Sequence, residues 1–174
     1  MAYREVRKDG DEVLRKKAIK VNKFGKWLTR LLDDMDETMD LANGIGLAAP
    51  QIGVSKRIVV IKFDDRTYKL INPEIIKKEG QTTEIEGCLS VPGMLGTVKR
   101  SKSVVVEALD ESNNKIEIKA DGMLAVVLQH EIDHLDGILY TDIALDVFDE
   151  EDLELNDEEG IEYMNPELNS EKLK

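Results

Sequence analysis

Between residues 23 and 42 the apolar side chains Phe24, Trp27, Leu28, Leu31, Leu32, Met35 and Met39 recur every three or four positions. That spacing predicts an amphipathic helix with one buried face. Asn22 is placed to cap its start and Asn43-Gly44 to end it. From 57 to 120 the pattern shortens toward the period of two that marks strands. Residues 57–63 are rich in Ile and Val, and 67–72, 74–78 and 103–109 follow, separated by turn residues. Ile116 and Ile118 alternate with Lys115, Glu117 and Lys119, as in a half-buried strand, and Ser112-Asn113-Asn114 fits a hairpin turn before them. Residues 122–135 return to helix. Met123, Leu124, Ala125, Val126, Val127 and Leu128 make it apolar nearly all round, so it is expected to be buried. A long helix, several antiparallel strands and a second, buried helix predict an α+β domain.

Composition narrows the class. The 174 residues suffice for one domain with a sizeable core. No apolar run approaches the roughly 20 residues that span a bilayer, and Met-Ala-Tyr-Arg-Glu-Val-Arg-Lys begins charged, without a signal-peptide core. A single cysteine excludes an intrachain disulfide and fits a reducing compartment, or a thiol used for chemistry. A cytoplasmic location without membrane contact is the expectation. The net charge of -12 is uneven, because residues 146–174 hold 12 acidic and 2 basic side chains. The chain therefore reads as a domain over 1–145 and an acidic tail over 146–174. The tail's charge argues against direct nucleic-acid binding there, and a solvated acidic terminus is the plain reading.

The chemistry centres on His130-Glu131-Ile132-Asp133-His134. Histidines four apart on a helix lie on one face, one turn apart, and offer two nitrogens to one metal ion. Glu131 lies beside that site, where it can accept a proton from metal-bound water. Chance spacing is the competing reading. It is weakened because the chain's only two histidines both fall in the pattern. A catalytic zinc-type site needs a third protein ligand and an open position. Gly137 stands where one metalloprotease class has a glycine, but Tyr140 stands where that class has its third histidine. Glu154 has the spacing of a thermolysin-like third ligand, although any spacing would find some glutamate in so acidic a tail. Cys88, within Glu86-Gly87-Cys88-Leu89-Ser90, is the third candidate, against the plain reading of a small buried thiol.

Gly44-Ile45-Gly46-Leu47-Ala48-Ala49-Pro50-Gln51 follows the first helix. It lacks the lysine and hydroxyl of a phosphate loop. Its glycines allow a backbone or ligand to approach closely, and Gln51 could donate to a developing oxyanion. Taken alone, a tight turn packed on the core is the stronger reading of this segment.

Together the segments 44–51, 86–90 and 130–134, in this order and at these separations, strongly resemble peptide deformylase. The resemblance runs from about residue 5 to residue 145 and takes in Leu14-Arg15 and Asn72-Pro73. It implies an α+β fold whose antiparallel sheets surround a buried central helix carrying the His-Glu-x-x-His motif. It implies a hydrolase that removes the N-formyl group from the N-terminal methionine of newly made polypeptides, releasing formate. By resemblance Cys88, His130 and His134 bind one divalent metal, with iron(II) expected and zinc, nickel or cobalt able to take its place. Metal-bound water then attacks the formyl carbon with Glu131 as general acid/base, and the Gln51 amide and Leu89 backbone N–H stabilise the oxyanion. The peptide is held as an added strand near Ile45, Gly46 and Gly87, with Val126 in the methionine pocket. Arg100 matches a family arginine, whereas Leu95 stands where arginine is frequent. The implied partners are nascent N-formylmethionyl peptides met at the ribosome, and the protein is expected to be a monomer. Some relatives end in a basic ribosome-docking helix, and this acidic tail departs from that pattern. Two other readings stay open on residues alone. One is an endopeptidase using Glu154; the other is a non-catalytic binding module, against which intact Glu131 and Gln51 speak.

Overall fold

The computed structural model describes residues 2–153. The first helix, α1, spans Lys26–Leu41 and buries Leu28, Leu31, Leu32, Met35 and Met39, one stripe of the amphipathic pattern. It starts later than a cap at Asn22 would give. Asn72 ties Val21 into an extended path through Val21 N–H to Oδ1 (2.8 Å) and Nδ2 to the Val21 carbonyl (2.9 Å). The turn into the helix is instead made at Gly25, with φ 141°. Its end is where the sequence places it. Asn43 adopts φ +53°, its N–H reaches the Asp40 carbonyl, and Gly44 N–H reaches that of Met39. Those two bonds close the last turn.

Among the described residues eight strands follow in two antiparallel sheets. The larger has the order β1-β2-β3-β6-β7, from Gly46–Ala48, Ile58–Phe63, Arg66–Glu79, Ser103–Leu109 and Lys115–Asp121. The smaller has β4-β5-β8, from Thr82–Cys88, Val91–Arg100 and Asp146–Asp149. The segments 67–72 and 74–78 are one strand, β3, with a register shift between Ile71 and Glu74 where Asn72 takes φ +51°. The acidic stretch 146–149 supplies β8, which pairs with β5 at Leu95–Phe148 and Gly96–Val147. Residues 154–174, including Glu154, lie outside the described residues.

The second helix, α2, spans Gly122–Leu135 and buries Ala125 to Ile132, His134 and Leu135. Strand β2 shows why its sequence, Ile-Val-Val-Ile, does not alternate. Val59 and Ile61 pack with Val126, Val127 and Leu128 of α2, whereas Ile58 and Val60 pack with Leu28, Leu32 and Met35 of α1. A strand covered on both faces is apolar throughout. The large sheet is thus sandwiched between the two helices, and α2 is the buried central helix of an α+β fold. Among the described residues no helix is long and apolar enough to cross a membrane.

Candidate active site

Three elements deliver the site. Helix α2 brings His130 and His134, β4 ends on Cys88, and the turn after β1 carries Gln51. One donor atom each from Cys88, His130 and His134 lie within 4.8 Å of one another. His134 Nε2 is 3.4 Å from Cys88 Sγ. A thiol and two imidazoles at this spacing, both imidazoles buried, suit a tetrahedral divalent ion.

Behind His130 stands a charged relay. Glu86 is fully buried and accepts from Arg100 Nε (2.6 Å) and Nη2 (2.9 Å), and its Oε2 lies 2.8 Å from His130 Nδ1. Arg100 Nη1 also donates to Asp133 Oδ2 at 2.6 Å. Burial works to raise the Glu86 carboxyl, but the hydrogen bonds from Arg100 and then His130 outweigh it and hold the value down to about 2. An ionised Glu86 only accepts, so His130 Nδ1 carries the hydrogen in that contact, and Nε2 is the ring nitrogen that could face an ion. Burial also opposes charge on both imidazoles. His130 is nonetheless raised by Cys88 and Glu86, whereas His134, further disfavoured by charge on His130 and Arg100, is lowered.

Glu131 is buried, and its Oε2 has no hydrogen-bond partner among the described residues. Burial, helped by the nearby Glu86 and Asp133 charges, pushes its carboxyl up to about 7. Gly46 makes room for it, because a Cβ there would overlap Glu131 Oε1 and lie 2.8 Å from Cδ. Gln51 is fixed by its Oε1, which accepts from Ala48 N–H at 2.9 Å. That turns Nε2 toward Ser90 Oγ (3.1 Å) and Cys88 Sγ (3.5 Å). The N-terminal segment braces this corner: Arg7 N–H donates to the Gln51 carbonyl, Asp9 N–H to that of Ser90, and Lys8 Nζ to that of Leu89.

A cleft of about 220 Å³ opens over these groups. Ile45, Gly46, Gln51, Gly87, Cys88, Leu89, His130 and Glu131 all line it. Of the residues the sequence singles out, Val126 does not: it is fully buried in the core, one helical turn before His130. Leu95 is buried too, and Tyr140 stacks on His130 with ring centroids 6.0 Å apart. The sequence alone does not mark Glu86, Ser90 or Asp133 for the contacts they make here. Nothing in a lone glutamate or serine marks it as buried, since that depends on β4 and β5 closing over α2.

The polypeptide deformylase family model matches residues 3–151. The chain belongs to that family. It is 55% identical over 154 residues to a peptide deformylase of Acetivibrio thermocellus, covering 88% of this chain and 91% of that one. It is similar to the solved peptide deformylase of Thermotoga maritima, with TM-score 0.82, 37% identity and 84% and 100% of the two chains covered. The structure from Legionella pneumophila gives TM-score 0.80 and 46% identity over 82% and 86% of the chains. The activity is accordingly that of a metal-dependent hydrolase removing the N-formyl group from nascent peptides.

Proposed function

We propose that Cys88, His130 and His134 are the metal ligands, that iron(II) is the ion they hold, and that Glu131, Gln51 and Leu89 carry the reaction. The observation behind this reading is the convergence of one sulfur and two nitrogen donors within 4.8 Å, beside a buried carboxyl whose Oε2 has no partner among the described residues. A thiolate among the donors softens the site toward iron(II), although zinc, nickel or cobalt fits the same set. When bound, the ion supplies Lewis acidity, which makes a water acidic enough to serve as nucleophile near neutral pH.

The protein's own groups do the rest. Glu131 takes a proton from the attacking water as the new C–O bond forms at the formyl carbon. The formyl oxygen gains negative charge, which the Gln51 Nε2–H and the Leu89 backbone N–H stabilise. Glu131 then returns the proton to the leaving nitrogen as the C–N bond breaks, giving formate and a free amine. Strand β1 is an edge of the large sheet, so an extended substrate can pair along Ile45 and Gly46, with Gly87 across the cleft. Val126 backs the methionine pocket from the core.

In this reading the catalytic domain is 1–145 and 146–174 is an acidic extension that makes no direct nucleic-acid contact, although its first four residues add strand β8 to the smaller sheet of that domain. The protein acts as a cytoplasmic monomer on N-formylmethionyl peptides as they leave the ribosome. Two variants test the assignments together. Cys88→Ala is expected to lose bound metal and formate release alike. Gln51→Ala is expected to keep its metal and lose on the order of 10²–10³ in turnover. A Cys88→Ala protein that retains stoichiometric metal contradicts the ligand set.

A further inference from the structure

Leu89, assigned above to the oxyanion, sits on a turn that its own residues do not favour. Strands β4 and β5 pair as far as Cys88 and Val91, so only Leu89 and Ser90 connect them. Two-residue connections favour turns with positive φ at one or both positions, because that twist matches the strands. Neither Leu89 nor Ser90 has a positive φ. The ladder also shifts register just before the turn, between Glu86 and Cys88. A turn built this way works against the twist of its strands, so bonds from outside must hold it.

Such bonds are present. Gln51 Nε2 donates to Ser90 Oγ at 3.1 Å, Asp9 N–H to the Ser90 carbonyl at 2.8 Å, and Lys8 Nζ to the Leu89 carbonyl at 2.8 Å. The last is set apart by position and by charge. It holds the peptide unit between Leu89 and Ser90, the middle of the turn, and its donor is an ammonium. A charge-assisted bond is roughly twice as strong as a neutral one. The Lys8 backbone is itself fixed on both sides, because Arg7 N–H donates to the Gln51 carbonyl at 2.7 Å and Asp9 N–H to that of Ser90. The side chain therefore starts from a held position. It lines the catalytic cleft together with Gln51, Leu89 and Glu131.

We infer that Lys8 is a positioning residue for deformylation: its ammonium clamps the Leu89–Ser90 turn so that the Leu89 N–H and the Gln51 amide converge on the formyl oxygen. The inference rests on the assignment of Leu89 and Gln51 to the oxyanion. It gives a reason for Arg7, Lys8 and Asp9, three consecutive residues, each to bond to this corner. Lys8 is exposed, and replacing an exposed side chain rarely changes stability much. What its loss removes is the placement of a donor, and preorganised placement is where an oxyanion site gets its effect.

The test compares metal-loaded parent, Lys8→Met, Lys8→Arg, Gln51→Ala and the Lys8→Met, Gln51→Ala double variant. Formate release from a formyl-methionyl tripeptide, metal content and the denaturation midpoint are measured on each. In Lys8→Met, kcat is expected to fall roughly tenfold, less than the loss of an oxyanion donor outright. KM should stay within about twofold, as for a group that acts only in the transition state, and metal content and midpoint should not move. Lys8→Arg should restore most of the rate, since it keeps the charge and a donor. Added to Gln51→Ala, Lys8→Met should cost less than about twofold, because the donor pair it aligns is already broken. Unchanged kcat in Lys8→Met beside an impaired Gln51→Ala would overturn the inference and leave the oxyanion assignment standing. So would a raised KM at unchanged kcat, which marks direct substrate contact, or the full loss recurring in the double variant. A kcat loss that tracks a lowered midpoint and is not restored by arginine would assign Lys8 a structural role instead. Full turnover in Gln51→Ala would overturn the oxyanion assignment itself, and the inference with it.

Discussion

Gly46 and Glu131 meet where a side chain on either backbone must yield. A methyl group at position 46 would occupy the space of the Glu131 carboxylate. Gly46→Ala is therefore expected to push that carboxylate off its position while leaving Cys88, His130 and His134 untouched. A displacement of about 1 Å at a reacting group costs on the order of 10²-fold. Steady-state formate release should fall by that order with metal content unchanged; normal turnover would show that Glu131 tolerates the shift. The residue scale is also where the sequence is most legible. His130 and His134 declare themselves because helical periodicity alone puts them on one face. Cys88 becomes a ligand candidate by being the sole thiol, and only β4 ending against α2 brings it to them. Glu86 is silent in sequence. Its role comes from being carried into the interior opposite His130 with Arg100 as counter-ion, a consequence of strand pairing that no local pattern encodes.

At the scale of elements, the Asp133–Arg100–Glu86–His130 relay ties α2 to β5 and β4. Glu86→Gln removes the one carboxylate that serves both Arg100 and His130, leaving a buried guanidinium with only Asp133. A buried pair broken on one side costs roughly 3–5 kcal/mol, and a lost outer partner of a ligating histidine typically weakens metal binding 10–100-fold. Denaturant unfolding of the metal-free protein and a metal titration should register both. A second tie joins the N-terminal segment to α1. Asp34 accepts from Ala2 N–H at 2.8 Å and from Arg4 Nε and Nη2 at 2.9 and 2.6 Å. Burial works to raise the Asp34 carboxyl, but the Arg4 and Ala2 hydrogen bonds leave it below its ordinary value. A carboxylate lowered on folding stabilises the fold above its unfolded value, near 3.9, and loses that contribution as pH falls through the folded one. Asp34→Asn should thus lower stability at pH 7, with the gap from the parent closing as unfolding is measured at successively lower pH below 4. A gap constant with pH would assign the loss to packing instead.

Element boundaries divide the same way between what is local and what is not. The end of α1 at Asn43-Gly44 and the whole of α2 follow from residues within a turn of them. The late start of α1 follows from Asn72, fifty-one positions after Val21 in the chain. Strand β8 is acidic and short, with Asp146 and Asp149 at its ends, and forms because β5 offers it an edge. Sequence pattern could not supply that partner.

At the scale of the whole molecule, two sheets and two helices enclose a cleft of about 220 Å³ in which one sulfur, two imidazoles, a carboxyl and an amide converge. The central claim is that this constellation hydrolyses the formyl–nitrogen bond at a peptide's N-terminus and depends on the metal to do so. The most direct measurement is formate released from an N-formyl-methionyl peptide by anaerobically purified protein, with metal quantified in the same sample. Formate and free amine appearing in equal amounts, proportional to bound metal and abolished by chelation, is the predicted result. A fully metal-loaded sample that yields no formate, or that cleaves internal peptide bonds instead, would contradict it.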